Sequence, residues 1–291
     1  MPELPEVETV KRGLLKLIVG STIKSVEHDW PKSFPNPKTD VDNFLVGASI
    51  IDVRRRAKVL IIELSTGYSL VIHLKMTGQL VYVGNKPGYR FGAGHPNDSL
   101  VKELPDKSTR VTFVFNDESQ LFFNDQRKFG WVKLFPSLVL DNHEFLNKLG
   151  PEPLEPEFTF DLFFERLKRR KGSNIKAVLL DQTTLAGVGN IYADESLWGA
   201  MIHPSTLAGS IPKAKLKTLH TEIIYVLKLS IDKGGSTSRN YVNAEGKKGN
   251  YLEFAKVFRR ENQACPRCST TIEKIRVAGR GTHYCPKCQK V

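Results

Sequence analysis

Proline follows the initiator methionine, and carboxylates follow the proline: Met1-Pro2-Glu3-Leu4-Pro5-Glu6. A small second residue permits removal of Met1, and Pro2 would then carry a secondary amine at its own N-terminus. An α-amino group titrates near pH ~8, about two units below lysine, so much of it can be unprotonated in the cell. Such an amine attacks an aldehyde-like carbon and forms an iminium, as Schiff-base lysines do. Glu3 stands beside it as a candidate proton donor or acceptor. The same residues have a plainer reading, in which the prolines stiffen the start and Glu3, Glu6 and Glu8 feed a helix N-terminus. Taken alone, this segment favours the plainer one.

The four cysteines lie at the other end, as Cys265-Pro266-Arg267-Cys268 and Cys285-Pro286-Lys287-Cys288, with sixteen residues between the pairs. Two Cys-x-x-Cys knuckles at this separation fit one tetrahedral Zn²⁺ of the ribbon type. The alternatives are disulfides or a redox pair. The acidic N-terminus lacks the apolar run of a secretory segment, and a redox site would need one pair in a β-α-β setting. One structural zinc on Cys265, Cys268, Cys285 and Cys288 is the expectation.

The 291 residues suffice for about two domains. With 40% hydrophobic and 25% charged residues the composition is that of a globular chain with a core. No stretch approaches the ~20 apolar residues of a membrane span, so no membrane partner is expected. The formal net charge of +12 favours polyanions. Residues 254–291 hold nine Lys or Arg against two acidic residues, in the same segment as the cysteines. A basic zinc ribbon points to nucleic acid more than to lipid.

Apolar residues at helical spacing, Val7, Val10, Leu14, Leu17 and Ile18, predict a helix over 6–19 that stops at Gly20. Strand-like runs follow at 22–28, 49–53, 59–64, 68–74, 110–115, 120–123 and 131–135, punctuated by turn residues, which suggests a β-sandwich. Residues 84–107, rich in Gly, Pro, Asn and charge, read as an exposed loop. Pro151-Glu152-Pro153-Leu154-Glu155-Pro156 reads as a linker, after which helices are expected at 158–170, 174–180, 190–197 and 212–231. The expected division is a β-sandwich over 1–150, a helical part over 151–235, a polar, glycine-containing loop over 236–255 and the ribbon over 256–291.

Between these landmarks several short motifs could touch nucleic acid. Gly187-Val188-Gly189-Asn190 opens a helix whose free N–H groups suit a phosphate, though any helix–turn–helix needs a glycine stop and a cap. Lys171 closes the basic run from Arg166, which by itself could be a solvated helix face. In Asp125-Gln126-Arg127-Lys128-Phe129-Gly130, Arg127 and Phe129 suit a loop that enters a duplex, or else a turn with one core phenylalanine. Met76, in His73-Leu74-Lys75-Met76-Thr77-Gly78, is a second wedge or a gap-filler in the core, and its local context favours the core. Lys58, after Arg54-Arg55-Arg56-Ala57, is a phosphate clamp or a surface cation.

Together these segments resemble the formamidopyrimidine-DNA glycosylase family of bacterial base-excision repair. The likeness runs over nearly the whole chain, from Pro2-Glu3-Leu4-Pro5-Glu6-Val7-Glu8-Thr9 through Arg56-Ala57-Lys58, residues 73–78, 127–130 and 187–193 to residues 279–288, in the family's order. It implies an α+β fold: an N-terminal helix on a two-layer β-sandwich, then a helical domain with a helix–two-turn–helix element and a C-terminal zinc ribbon. It makes 1–150 the catalytic part, 151–235 and 256–291 the DNA-binding parts, and 236–255 a lesion-recognition loop. It implies Pro2 as the nucleophile at C1′, Glu3 as the acid in ring opening and base departure, Lys58 in β-elimination and Arg280 in δ-elimination. Lys171, Asn190 and Arg280 would contact phosphates. His73 falls in a matching segment and is carried over as a DNA contact. Met76, Arg127 and Phe129 would fill the gap left by an extruded base. The implied partner is double-stranded DNA with oxidised bases or abasic sites, bound by a cytoplasmic monomer. The implied substrates are 8-oxoguanine opposite cytosine and formamidopyrimidines.

Three departures stand out. Ser108 aligns where the family often has a DNA-contacting histidine, with Thr109 and Arg110 as substitutes; the 84–107 stretch looks long; and Lys128 replaces a common arginine. Two rivals remain: an endonuclease VIII-like enzyme for oxidised pyrimidines, disfavoured by Leu4 and a full-length 234–251 segment, and a non-catalytic zinc-ribbon DNA-binding protein, which leaves Pro2, Glu3 and Lys58 unexplained.

Overall fold

The computed structural model describes residues 1–140, 142–236 and 251–290. The chain divides into two compact units, Met1–Asn147 with Lys233–Asn250, and Lys148–Asp232 with Tyr251–Val291. Most of the 236–255 stretch read as a lesion loop lies outside the described residues; Ser236 and the short helix Tyr251–Phe254 are within them.

The first unit opens with helix α1 (Leu4–Ile18), whose N-cap is Glu3 and whose first turn contains Pro5. Its apolar stripe, Val7, Val10, Leu14 and Ile18, is fully buried. At about 1.5–3 kcal/mol for each large apolar side chain, that stripe fixes the helix to the sheets. The strands are β1 (Ile23–His28), β2 (Ile50–Arg56), β3 (Val59–Leu64), β4 (Tyr68–His73), β5 (Gly78–Val83), β6 (Arg90–Gly94), β7 (Thr109–Phe115), β8 (Gln120–Asp125) and β9 (Trp131–Pro136). They form a five-stranded sheet in the order β1-β7-β8-β5-β6 and a four-stranded sheet in the order β2-β3-β4-β9. Every pairing is antiparallel. Val53, Leu60, Ile62, Leu70 and Ile72 of one sheet share a core with Leu80, Val111, Phe113 and Phe123 of the other and with α1. This is the expected helix on a two-layer sandwich.

The stretch 84–107 differs from the exposed loop that its composition suggests. It contains β6 and a single turn of 3₁₀ helix at Asp98–Leu100, with Phe91 and Leu100 buried. Arg90 donates to the carbonyls of Leu100 and Ser99, at 2.9 Å each, and closes the stretch on itself. Gly92 and Gly94, on either side of Ala93, hide the strand from a pattern reading, because glycine normally punctuates strands.

The second unit holds α2 (Phe160–Lys168), α3 (Ile175–Leu180), α4 (Asn190–Gly199) and α5 (Lys213–Asp232), followed by the hairpin β10 (Glu273–Val277) and β11 (Arg280–Tyr284). Leu216, Leu219, Ile223, Val226 and Leu227 of α5 pack on Tyr192, Ala193 and Leu197 of α4 in one helical core. Among the described residues no helix is long and apolar enough to cross a membrane.

Candidate active site and nucleic-acid interface

The N-terminal group is built on α1. Pro2 and Glu3 are buried, and the Glu3 N–H donates to Glu6 Oε2 at 2.8 Å. The other Glu6 oxygen accepts the Ser236 N–H at 2.8 Å, tying the start of the helix to the start of the 236–255 stretch. One turn on, Glu8 accepts from Arg55 Nε at 3.0 Å, Arg12 Nε at 3.0 Å and Lys11 Nζ at 3.4 Å. Burial pushes the Glu8 carboxyl up, but Arg55, Arg12 and Lys11 outweigh it and hold it below the ordinary range. Arg55 also donates to the Ala57 carbonyl at 3.0 Å. Ala57 lies in the left-handed region at φ 53°, in the β2–β3 turn, and Lys58 follows it, buried. One guanidinium thus links the helix that carries Pro2 and Glu3 to the turn that carries Lys58. The sequence displays Glu8 and Arg55 openly, but only their pairing reveals this role.

His73 ends β4, half-buried beside Trp131 and Phe145, with ring centroids 5.8 and 6.2 Å away. Burial, with the charges of Lys75 and Lys58, lowers its pKa to about 3. It is therefore neutral at pH 7. Its Nδ1 accepts the Lys75 N–H at 3.0 Å, which leaves Nε2 as the proton-bearing donor.

Met76, Arg127 and Phe129 meet, although they come from loops fifty residues apart in sequence (the β4–β5 and β8–β9 connections). Arg127 Nη1 lies 3.0 Å from Met76 Sδ, and its guanidinium sits 4.8 Å from the centre of the Phe129 ring. Phe129 is 53% exposed, which excludes the core reading. Lys128 adopts φ 57° and lies over Trp30 at 4.4 Å. Beneath the loop, Asp125 is fully buried and accepts the N–H groups of Phe129 at 2.8 Å and Gly130 at 2.6 Å. A Cβ at Gly130 would come within 2.6 Å of Phe123 and 3.0 Å of the His73 carbonyl, so the tight return needs glycine.

Ser108 departs from the expected DNA contact. It is 2% exposed, and its N–H and hydroxyl both donate to Asp106 Oδ1, at 2.7 and 2.6 Å. Thr109 and Arg110 are buried as well, Thr109 on Asn124 at 2.9 Å and Arg110 on Asp29 and the Asp125 carbonyl. An alignment position shows the residue type at a site, not whether its hydroxyl reaches the surface.

In the second unit, Asn190 begins α4, and its Nδ2 donates to the Gly281 carbonyl at 3.0 Å. Arg280 adjoins Gly281, exposed at the start of β11, so these two predicted phosphate contacts are neighbours. Gln182 shapes the turn before Asn190: its Oε1 accepts from Gly187 N–H at 2.9 Å, and its Nε2 donates to Val188 O at 2.8 Å. Lys171 is exposed on the turn after α2, where its carbonyl accepts the Gly209 N–H at 2.9 Å.

Pattern reading missed what holds the hairpin. Lys176, fully buried on α3, donates to Asp194 Oδ1 at 2.6 Å and to Thr282 Oγ1 at 2.7 Å. The second Asp194 oxygen accepts the His283 N–H at 2.9 Å. Next to it, Glu195 accepts three N–H groups in a row, from Lys256, Val257 and Phe258, at 2.7–2.9 Å. Burial pushes the Glu195 carboxyl up against the pull of those donors.

The sulfurs of Cys265, Cys268, Cys285 and Cys288 all lie within 4.8 Å of one another. Four thiolates at Zn–S of about 2.3 Å stand roughly 3.8 Å apart in a tetrahedron, so the cluster fits one zinc with little adjustment. Trp198 Nε1 donates to Cys265 Sγ at 3.4 Å, and Arg267 stacks 3.9 Å over the Trp198 ring, so α4 supports the cluster from outside. The four cysteines are the zinc site.

Three family models match in order along the chain. The formamidopyrimidine-DNA glycosylase N-terminal domain covers residues 1–132, the formamidopyrimidine-DNA glycosylase H2TH domain 149–242, and the zinc finger found in FPG and IleRS 262–291. The formamidopyrimidine-DNA glycosylase of Pelotomaculum thermopropionicum is 41% identical over 292 residues, covering 100% of both chains. That of Shouchella clausii is 43% identical, covering 99% of each. Among solved structures, a Lactococcus lactis FPG mutant in complex with Fapy-dG-containing DNA matches with a TM-score of 0.87 at 36% identity over 100% of both chains. The Lactococcus lactis Fpg complex with abasic-site DNA matches with a TM-score of 0.86 at 36% identity, over 99% of this chain and 100% of that one. Likeness at this level from end to end, carried by all three modules, means that the chain belongs to the formamidopyrimidine-DNA glycosylase family.

Proposed function

We propose that the protein is a bifunctional DNA glycosylase and AP lyase that removes oxidised purines, 8-oxoguanine and formamidopyrimidines, from duplex DNA. The observation that carries this reading beyond family membership is the exposed Met76–Arg127–Phe129 group, held out by a buried carboxylate. A base inside a duplex cannot be attacked, so its nucleotide must leave the stack and the gap must be filled. A solvent-facing aromatic with a stacked guanidinium suits that task.

After loss of Met1, the unprotonated Pro2 nitrogen bonds to C1′ as the glycosidic bond breaks; the nitrogen sheds its proton and the departing base takes one up, so the base leaves neutral. The C1′–O4′ bond opens, Glu3 protonates O4′, and an iminium remains between Pro2 and C1′. The iminium acidifies the C2′ proton; its removal expels the 3′ phosphate, in the step assigned to Lys58. A second elimination, assigned to Arg280, expels the 5′ phosphate. Asn190, Arg280 and Lys171 hold the backbone, and neutral His73 offers Nε2–H as a donor. Ser108 is left out of the contact set because its hydroxyl is spent on Asp106. The zinc is structural and takes no part in the chemistry. The relatives are bacterial, which supports a cytoplasmic enzyme, and the reading is of a monomer.

Borohydride trapping on an 8-oxoguanine duplex, with mass analysis of the N-terminus, tests the nucleophile. Wild-type protein without Met1 should form a covalent adduct at Pro2, and Pro2→Gly should trap and cleave far more slowly. Wild-type rates in Pro2→Gly, or full activity with Met1 retained, would remove Pro2 from the mechanism.

A further inference from the structure

The side chains read as the wedge come from two loops, and one carboxylate joins them. Asp125 closes β8 opposite Gly78, the first residue of β5. Its Oδ1 accepts the Thr77 hydroxyl and, at 3.2 Å, the Arg127 N–H. Its Oδ2 accepts the Phe129 and Gly130 N–H groups. Thr77 Oγ1 in turn accepts the Arg127 N–H at 3.1 Å. Four donors from two loops therefore converge on a carboxylate with no solvent exposure, and Thr77, next to Met76, is the only donor among them from the first loop. A Cβ at Gly78 would lie 2.3 Å from the Leu74 carbonyl oxygen, so the first loop is also tightly folded.

A buried carboxylate requires its donors, and each donor lost leaves it partly unsatisfied. The two loops are thus held in register with each other. We propose that Asp125 and Thr77 are positioning residues that lock the Met76 loop and the Arg127–Phe129 loop into one preorganised wedge, so that the three side chains enter the duplex together. This rests on the wedge reading of Met76, Arg127 and Phe129. Without the lock, each loop must be ordered separately while the base pair is being opened. That burden falls on lesions that are still paired. An abasic site has no pair to break and carries much less of it.

The test compares single-turnover cleavage of an 8-oxoguanine:cytosine duplex with that of an abasic-site duplex, for wild type, Asp125→Asn, Thr77→Val and Phe129→Ala. Misplacement of reacting groups by about 1 Å costs on the order of a hundredfold. Asp125→Asn should therefore slow the paired lesion roughly tenfold to a hundredfold, and Thr77→Val should slow it in the same direction. Both should leave abasic cleavage within about threefold of wild type, a split that general loss of folded enzyme would not produce. Thr77→Val removes only the tie between loops and leaves the backbone bonds to Asp125, so it decides the matter if Asp125→Asn does not fold. Equal loss on both duplexes, or no loss on either, overturns the proposal. If Phe129→Ala slows the paired lesion while Thr77→Val and Asp125→Asn do not, the lock fails and the wedge stands. If Phe129→Ala itself processes the paired lesion normally, the wedge reading fails first.

Discussion

At the scale of single residues, burial separates side chains that look alike in sequence. Phe123 and Phe129 lie six positions apart, yet Phe123 is fully buried in the sandwich core and Phe129 is 53% exposed. Phe123→Ala should cost about 3–5 kcal/mol of stability. Phe129→Ala should stay within roughly 0.5 kcal/mol, as an exposed position does. Paired urea denaturation curves check both, and a large loss at Phe129 would return it to the core. His73 makes a pH prediction. Its pKa falls from 6.5 to about 3 on folding, chiefly through burial and then through Lys75 and Lys58. Between those values the unfolded chain binds the extra proton, so stability is present above pH 6.5 and is lost as pH falls toward 3. The contribution to the slope is at most about 1.4 kcal/mol per pH unit. His73→Asn should flatten the stability profile between pH 4 and 6.5, and a slope identical to wild type would show that the ring titrates normally.

At the scale of elements, the β10–β11 hairpin is held by two devices, the zinc cluster and the buried Lys176–Asp194–Thr282 group. Metal supplies most of the folding energy of so small a module. Chelation should therefore melt the ribbon and abolish DNA binding while leaving the sandwich strands folded, as circular dichroism with a binding assay would report. Unchanged binding after complete zinc removal would deny the ribbon its role. The lysine device acts independently of metal. Breaking a fully buried ion pair by removing one partner costs about 3–5 kcal/mol, so Lys176→Met should destabilise the zinc-loaded second unit by that order. Full-length protein with saturating zinc, followed by chemical denaturation, measures it. A change below about 1 kcal/mol would mean that Asp194 is satisfied by His283 alone.

For the whole molecule, charge should dominate affinity. The net charge is +12, and each phosphate neutralised on a duplex contributes about 0.9 to the slope of log affinity against log salt. Arg280 is exposed beside Asn190, as a phosphate contact requires. Arg280→Ala should reduce that slope by about one unit and slow lesion cleavage, whereas Lys290→Ala should leave cleavage nearly unchanged. A salt titration with undamaged and 8-oxoguanine duplexes reads this, and an unchanged slope with unchanged cleavage would make Arg280 a solvated surface charge.

The signals that sequence alone determined are local or ordered along the chain. The zinc cysteines were legible because a knuckle is four consecutive residues, and α1 because its apolar stripe repeats every turn. The family was legible because several modest motifs occur in one order. Tertiary structure decided everything that depends on distance in space. It withdrew Ser108 by burying its hydroxyl on Asp106, found a strand where 84–107 looked like loop, and turned Phe129 outward. It also supplied the supports, Arg55 with Glu8, Asp125 with Thr77, and Lys176 with Asp194. Each of these is a charged or polar side chain that reads in sequence as ordinary surface. Its role arises only when a partner 18 to 48 residues away excludes water from it, for an ionised group taken out of water must find its donors or acceptors within the fold.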